Sequence, residues 1–139
     1  EVFRYQKKIS GPLLDRIDIQ IEVPRVKVED LRKPKEENSS RKIREKITKI
    51  RAIQKKRFEK LGLKISLNSE MSSKLVDENI EFDDEAENFL KNILEKSFIS
   101  ARGYYRVLKT AQTIADLEES EKVNSGHLAE AFQYRIREQ

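Results

Sequence analysis

Ser100-Ala101-Arg102-Gly103-Tyr104-Tyr105-Arg106-Val107-Leu108-Lys109-Thr110-Ala111-Gln112-Thr113-Ile114-Ala115-Asp116-Leu117 reads as one amphipathic helix. Tyr104, Val107, Leu108, Ala111, Ile114 and Ala115 recur at three-to-four spacing, the clearest apolar stripe in the chain. Ser100 is placed to cap it. Upstream, Asp83-Asp84-Glu85 opens a helix to about residue 96, its acids suited to the positive end of the helix dipole. Phe82, Ala86, Phe89, Leu90, Ile93 and Leu94 form its inner face. Downstream, Asn124 or Ser125 caps a last helix carrying Leu128, Ala131, Phe132 and then Arg135-Ile136. Residues 69–76 are weakly helical. From residue 69 onward the pattern is a helical bundle with short connections.

Towards the N-terminus, Ser39 or Ser40 caps a long helix that Gly62 stops after residue 60. Ile43, Ile47, Ile50, Ile53 and the stretch from Gln54 to Phe58 supply its expected apolar side. Between Arg41 and Lys60 stand ten Lys/Arg against two Glu. Lys42, Lys46, Lys49, Lys56 and Lys60 fall near one stripe, which suits backbone phosphates without sequence reading; a solvated charged face is the alternative. Residues 25–38 form a charged connector with a turn of helix at 29–33. Residues 2–9 read as a short helix broken by Ser10-Gly11-Pro12. Ile17, Ile19, Ile21 and Val23 alternate with Asp18, Gln20 and Glu22, the period of a half-buried strand, and Pro24 ends it. A lone strand needs a sheet, and no second strand is convincing, so its partner is expected upstream of this sequence. The expected fold is mainly α: a helical bundle over 83–139, a connector and basic helix over 25–82, and one orphan β-strand within 1–24.

Composition narrows the function classes. Charged residues make up 39% and hydrophobic residues 37%, so a modest core carries a heavily charged surface. Cysteine is absent and His127 is the one histidine, which excludes disulfides, thiolate metal sites and multi-histidine sites; no metal site is expected. No apolar run approaches the length of a membrane helix and no signal pattern is present, so a cytoplasmic location without membrane contact is expected. The chain opens at Glu1 and its one methionine is Met71, so a piece of a longer protein is expected.

Two arginines stand where packing does not need a cation. Arg102 would be the second residue of its helix, against the dipole and off the apolar stripe. A helix start attracts phosphate, and an arginine beside it adds a bidentate donor. Arg102 is therefore a nucleotide-sensor candidate; the alternative is an exposed arginine paired with a nearby acid. Arg16, entering the strand after Leu13-Leu14-Asp15, could reach a neighbour's γ-phosphate, with Asp15 orienting it. The alternative is an Asp15–Arg16 pair tying this turn to the helical bundle. The sequence holds no Gly-x-x-x-x-Gly-Lys-Ser/Thr and no apolar strand ending in Asp-Glu, so this chain alone is not expected to hydrolyse ATP.

The stretch from Tyr5-Gln6-Lys7-Lys8-Ile9-Ser10-Gly11-Pro12 through Leu13-Leu14-Asp15-Arg16-Ile17-Asp18 resembles the end of the core in magnesium-chelatase-like AAA+ ATPases. So do Ser39-Ser40, Ile43-Arg44, Arg51-Ala52-Ile53-Gln54, Arg57-Phe58, Asn68 and Met71 for the block that follows. Ser100 to Tyr104, Thr113 to Glu118, and His127 to Arg135 resemble the family's C-terminal lid. The likeness runs through nearly the whole chain in order and is closest to the competence-protein, or ComM, group. It implies that Arg16 is an arginine finger and Arg102 the sensor-2 arginine. It implies a ring-forming parent, hexameric, using ATP and Mg2+, whose upstream core and neighbouring subunits complete each site, with no nucleotide held tightly by this chain alone. For the ComM group it implies DNA branch migration. Gln112 stands where the family pattern has arginine, on a helix side expected to be exposed, and Gly103 replaces a usual alanine.

The remaining polar residues read as structural. His127, in the first turn of the last helix, is a packing or capping residue. Tyr104 is core, and Tyr105 is open between core and base stacking. Asp116 and Glu118 flank Leu117 and are expected to face solvent. The competing function is a standalone helical module that grips nucleic acid or an acidic protein through its basic helix. A motor fragment should leave residues 17–23 unpaired; a self-sufficient module should pair or cover them. A pigment-pathway chelatase subunit ranks lower, since nothing in the sequence speaks of porphyrin.

Overall fold

The computed structural model of the chain describes residues 10–28, 40–96 and 99–135. The helix expected over 2–9, the turn over 29–33, the cap at Ser39 and Ile136 lie outside them. The described elements run α1 (Gly11–Leu14), α2 (Ser40–Lys60), a 3-10 turn (Asn68–Glu70), α3 (Ser73–Asn79), α4 (Asp84–Lys96), α5 (Ala101–Leu117) and α6 (Ser125–Gln133). The architecture is mainly helical, as the periodicity requires. Among the described residues the β-pairing is a single parallel bridge, Phe82 with Val123. None of the described helices is long and apolar enough to cross a membrane.

The helix ends follow from their residues. Ser100 accepts the Gly103 N–H at 3.0 Å, and Asp83 accepts the Ala86 N–H at 2.8 Å. At the α6 start, Asn124 accepts the His127 N–H while His127 Nδ1 accepts the Asn124 N–H, a reciprocal capping box. His127 is therefore a cap, and its Nε2 lies 2.9 Å from Glu118. At the α2 end, Gly62 takes φ +69°, with Leu63 N–H on the Phe58 carbonyl and Gly62 N–H on the Glu59 carbonyl. That pair of bonds is a Schellman stop, which the left-handed glycine makes inexpensive.

α5 is the hub: α6, α2, α3 and the 3-10 turn all pack on it, and α4 closes on α6. Phe58, Leu108, Val107, Val76, Val123 and Leu128 are the largest apolar side chains fully buried in the resulting core. Residues on both sides of the boundary expected at Phe82 share this core. Its wrapping explains two corrections. Gln112, expected on an exposed side, is buried, and so is Asp116, expected to face solvent. A helix covered from several directions has no single outer face.

α2 is anchored by one end. Ile50, Gln54 and Phe58 are buried, whereas Ile43, Ile47 and Ile53 of the expected apolar side are exposed. The packing partner, α5, reaches only the later turns. The strand expected over residues 17–23 is not formed: Ile19, Ile21 and Val23 are 55%, 67% and 77% exposed. Extended apolar backbone without a ladder partner has nothing to pair its N–H and C=O groups. Its backbone meets the bundle at Gln20, whose N–H donates to the Tyr134 carbonyl at 2.7 Å.

Candidate functional site

The α1 turn, with Pro12 in its first positions, delivers Asp15 to the start of α5. Asp15 accepts the Ser100 hydroxyl at 3.0 Å and the Arg135 guanidinium at 2.6 Å. Arg135 also donates to the Gly103 carbonyl at 3.3 Å. One carboxylate thus joins the turn before Arg16, the cap of the Arg102 helix and the residues after α6. Burial disfavours the charged Asp15, but the Ser100 and Arg135 hydrogen bonds and the charges of Arg135 and Arg102 outweigh it and hold the carboxyl below its ordinary range.

The geometry gives Asp15 partners of its own. It does tie the turn to the bundle, but through Ser100 and Arg135; among the described residues it makes no bond to Arg16. Arg16 and Arg102 are both exposed, and neither side chain donates a hydrogen bond or closes an ion pair among the described residues. Arg102 is the second residue of α5, as expected. The two arginines therefore flank one junction, one position beyond Asp15 and two beyond Ser100.

Beside this junction an open cleft of about 500 Å³ runs along α5, lined by Arg102, Arg106 and Lys109 on the helix and by Asp18, Ile19 and Ser69 opposite. Arg106 forms an ion pair with Asp18. Lys109 donates to the Ser69 carbonyl at 3.2 Å. Desolvation pushes the Lys109 ammonium down, with Arg106 adding to the effect and Asp18 opposing it.

Behind the cleft lies a buried polar network that sequence reasoning misses. Asp116 accepts Gln54 at 3.0 Å, Asn68 at 2.8 Å, Gln112 at 3.0 Å and both terminal nitrogens of Arg57. Asn68 donates also to Thr113 at 3.1 Å, and its N–H reaches Gln54 at 3.3 Å. Among the described residues no buried side-chain polar atom is left without a partner. The network locks α2 and the 3-10 turn to α5. Its signal is present in the blocks around Gln54, Arg57 and Asn68, but only the fold brings their side chains to one acid.

On α2, Lys42, Lys46, Lys49, Lys56 and Lys60 are all exposed, on a stripe centred about 120° round the helix from Ile50, Gln54 and Phe58. Lys49 pairs with Glu119 at 2.5 Å, both side chains open to solvent. The five lysines and the arginine junction lie on separate features of the fold and are not brought into one site by any contact among the described residues.

Residues 37–135 match the family described as magnesium chelatase, subunit ChlI C-terminal, and residues 1–31 match magnesium chelatase, subunit ChlI. The chain belongs to the magnesium chelatase ChlI C-terminal family. It is similar to the competence protein ComM of Haemophilus influenzae, 37% identical over 136 residues that cover 97% of this chain and 26% of that protein. It is also similar to the YifB protein of Escherichia coli, 33% identical over 138 residues with the same coverage. The chain spans about a quarter of the length of these curated relatives.

Proposed function

We propose that this chain is the C-terminal part of a magnesium-chelatase-like AAA+ ATPase, supplying an arginine finger, Arg16, and a sensor-2 arginine, Arg102, to ATP sites in a ring. One observation carries the reading: two exposed arginines that close no hydrogen bond or ion pair among the described residues flank a junction held together by Asp15 and Ser100. Such guanidinium groups match phosphate oxygens bidentately. The residues at the junction and in the cleft fit the phosphate part of ATP. Ligands for Mg2+ would come from the upstream core, together with the phosphates themselves. ATP with Mg2+ supplies the phosphoryl group; this chain's arginines would bind and orient it and offset charge on its oxygens.

The parent is then a cytoplasmic ring, hexameric, in which neighbouring subunits complete each site. Its relationship to the competence protein ComM supports a DNA branch-migration motor, with the exposed lysines of α2 contacting the DNA backbone. Measuring ATP affinity in the full-length protein tests the sensor assignment. Arg102→Ala should weaken ATP binding with the fold intact; an unchanged affinity would remove Arg102 from the site.

A further inference from the structure

The cleft beside Arg102 holds more positive charge than the two assigned arginines need. Arg102, Arg106 and Lys109 recur at four- and three-residue steps, so they share one face of α5. At the helical rise they span about 10 Å along it. Across the cleft, among the described residues, the one acid lining it is Asp18. Asp18 pairs with Arg106, and the pair is partly open to solvent, with side chains 51% and 27% exposed. Lys109 is half-buried, donates to a backbone carbonyl and closes no ion pair among the described residues. The nearby Asp18 carboxylate acts on this ammonium from a distance but is paired to Arg106, so an anion in the cleft would add the partner that Lys109 lacks.

We propose that Arg106 and Lys109 extend the phosphate site of Arg102 along α5, that the cleft takes the polyphosphate of a nucleoside triphosphate, and that Asp18 is a built-in competing anion which the polyphosphate displaces from Arg106. The proposal rests on the reading of Arg102 as a phosphate ligand. A polyphosphate carries more charge than a carboxylate and can meet the guanidinium through two oxygens, where Asp18 makes a single contact, which favours the exchange. Because Asp18 lies three residues beyond Asp15 and two beyond Arg16, its release would free the finger segment on the same event that fills the cleft. Phosphate binding would then loosen one of the two acid anchors of residues 15–18 and leave the other, Asp15, in place.

The test is ATP affinity of the full-length protein, read with a fluorescent ATP analogue, for Arg102→Ala, Arg106→Ala, Lys109→Met, Asp18→Asn and Asp18→Glu. Removing the competing carboxylate in Asp18→Asn should tighten ATP binding about two- to fivefold, the range expected for a partly exposed pair. Asp18→Glu should restore the original affinity. Arg106→Ala and Lys109→Met should weaken binding, and Asp18→Asn should have no effect in the Arg106→Ala background, a result that a merely structural contact would not give. If Arg102→Ala weakens binding while the Asp18, Arg106 and Lys109 variants do not change it, the inference fails and the sensor assignment stands. If Arg102→Ala is also silent, both fail. If Asp18→Asn tightens binding of a single-stranded oligonucleotide and leaves ATP unchanged, the cleft serves phosphodiesters and the proposal is overturned.

Discussion

The Asp15 carboxylate lies 2.6 Å from the Arg135 guanidinium, 120 residues further along the chain. This contact, with Ser100, is what sets the Arg16 turn beside the α5 start. Its side chains are 30% and 18% exposed, so it contributes about 1 kcal/mol rather than the larger figure of a fully buried pair. Asp15→Asn should leave the melting of the helical core nearly unchanged and make residues 10–28 markedly more sensitive to a protease. Equal protection in the variant would show that the segment is held by other means.

The same carboxyl gives a pH dependence with a defined sign. Burial alone would raise its folded-state pKa, but the Ser100 and Arg135 bonds prevail and hold it below the ordinary 3.8. The stabilisation it provides is therefore complete above that ordinary value and is lost as pH falls through the folded value. An NMR titration of the Asp15 carboxyl carbon should show a midpoint below 3.8, and Arg135→Ala should move it upward.

Gly103 is the reason Arg135 can approach. A Cβ there would meet Arg135 Nη2 at 3.0 Å, Arg135 Cζ at 3.1 Å and Ile99 Cγ1 at 3.1 Å. The arginine contact is with the far end of a flexible side chain, which can give way, while alanine gains up to about 1 kcal/mol of helix propensity. Gly103→Ala should thus be near neutral in a thermal melt yet move the Asp15 midpoint upward. A large loss of stability would mean that Ile99 cannot yield.

Asp116 should dominate the stability of the α2–α5 contact. Its side chain is 1% exposed and answers donors from Gln54, Arg57, Asn68 and Gln112. Asp116→Ala leaves those donors facing an apolar gap. Since Arg57 keeps some access to water, the cost should be about 2–4 kcal/mol in urea unfolding. Gln112→Ala removes one donor and leaves the carboxylate satisfied by the rest, so it should cost less than half as much.

The lysine face of α2 predicts a salt signature. In full-length protein, replacing Lys46, Lys56 and Lys60 together by alanine should lower DNA affinity. The slope of log affinity against log salt should flatten by about 0.7–0.9 for each phosphate that is no longer neutralised. A weaker affinity with an unchanged slope would place the effect elsewhere.

The helices are largely legible in the sequence because their signals are local. Ser100, Gly62 and the stripe from Tyr104 to Ala115 fix α5 and the end of α2 within a turn. Sidedness is less legible. Gln112 and Asp116 look outward if one stripe is the whole buried surface, whereas α5 is enclosed from several directions. Ile43 and Ile47 look inward because periodicity marks a face but not how far a partner reaches along it. The pattern of residues 17–23 has the alternation of a strand without a ladder to join. Within the site, Arg102 and its cap are local and readable. The pairs Asp15–Arg135 and Asp18–Arg106 are not, since they join residues 120 and 88 positions apart.

The central claim is that Arg16 completes an ATP site across a subunit boundary. The most direct measurement is ATP hydrolysis by the full-length protein with Arg16→Ala, alongside ATP binding and ring assembly. The account predicts that binding and assembly persist while hydrolysis falls by about 10³-fold or more, the range of arginine fingers in phosphoryl transfer. Hydrolysis at the unsubstituted rate in a folded, assembled Arg16→Ala protein would contradict it.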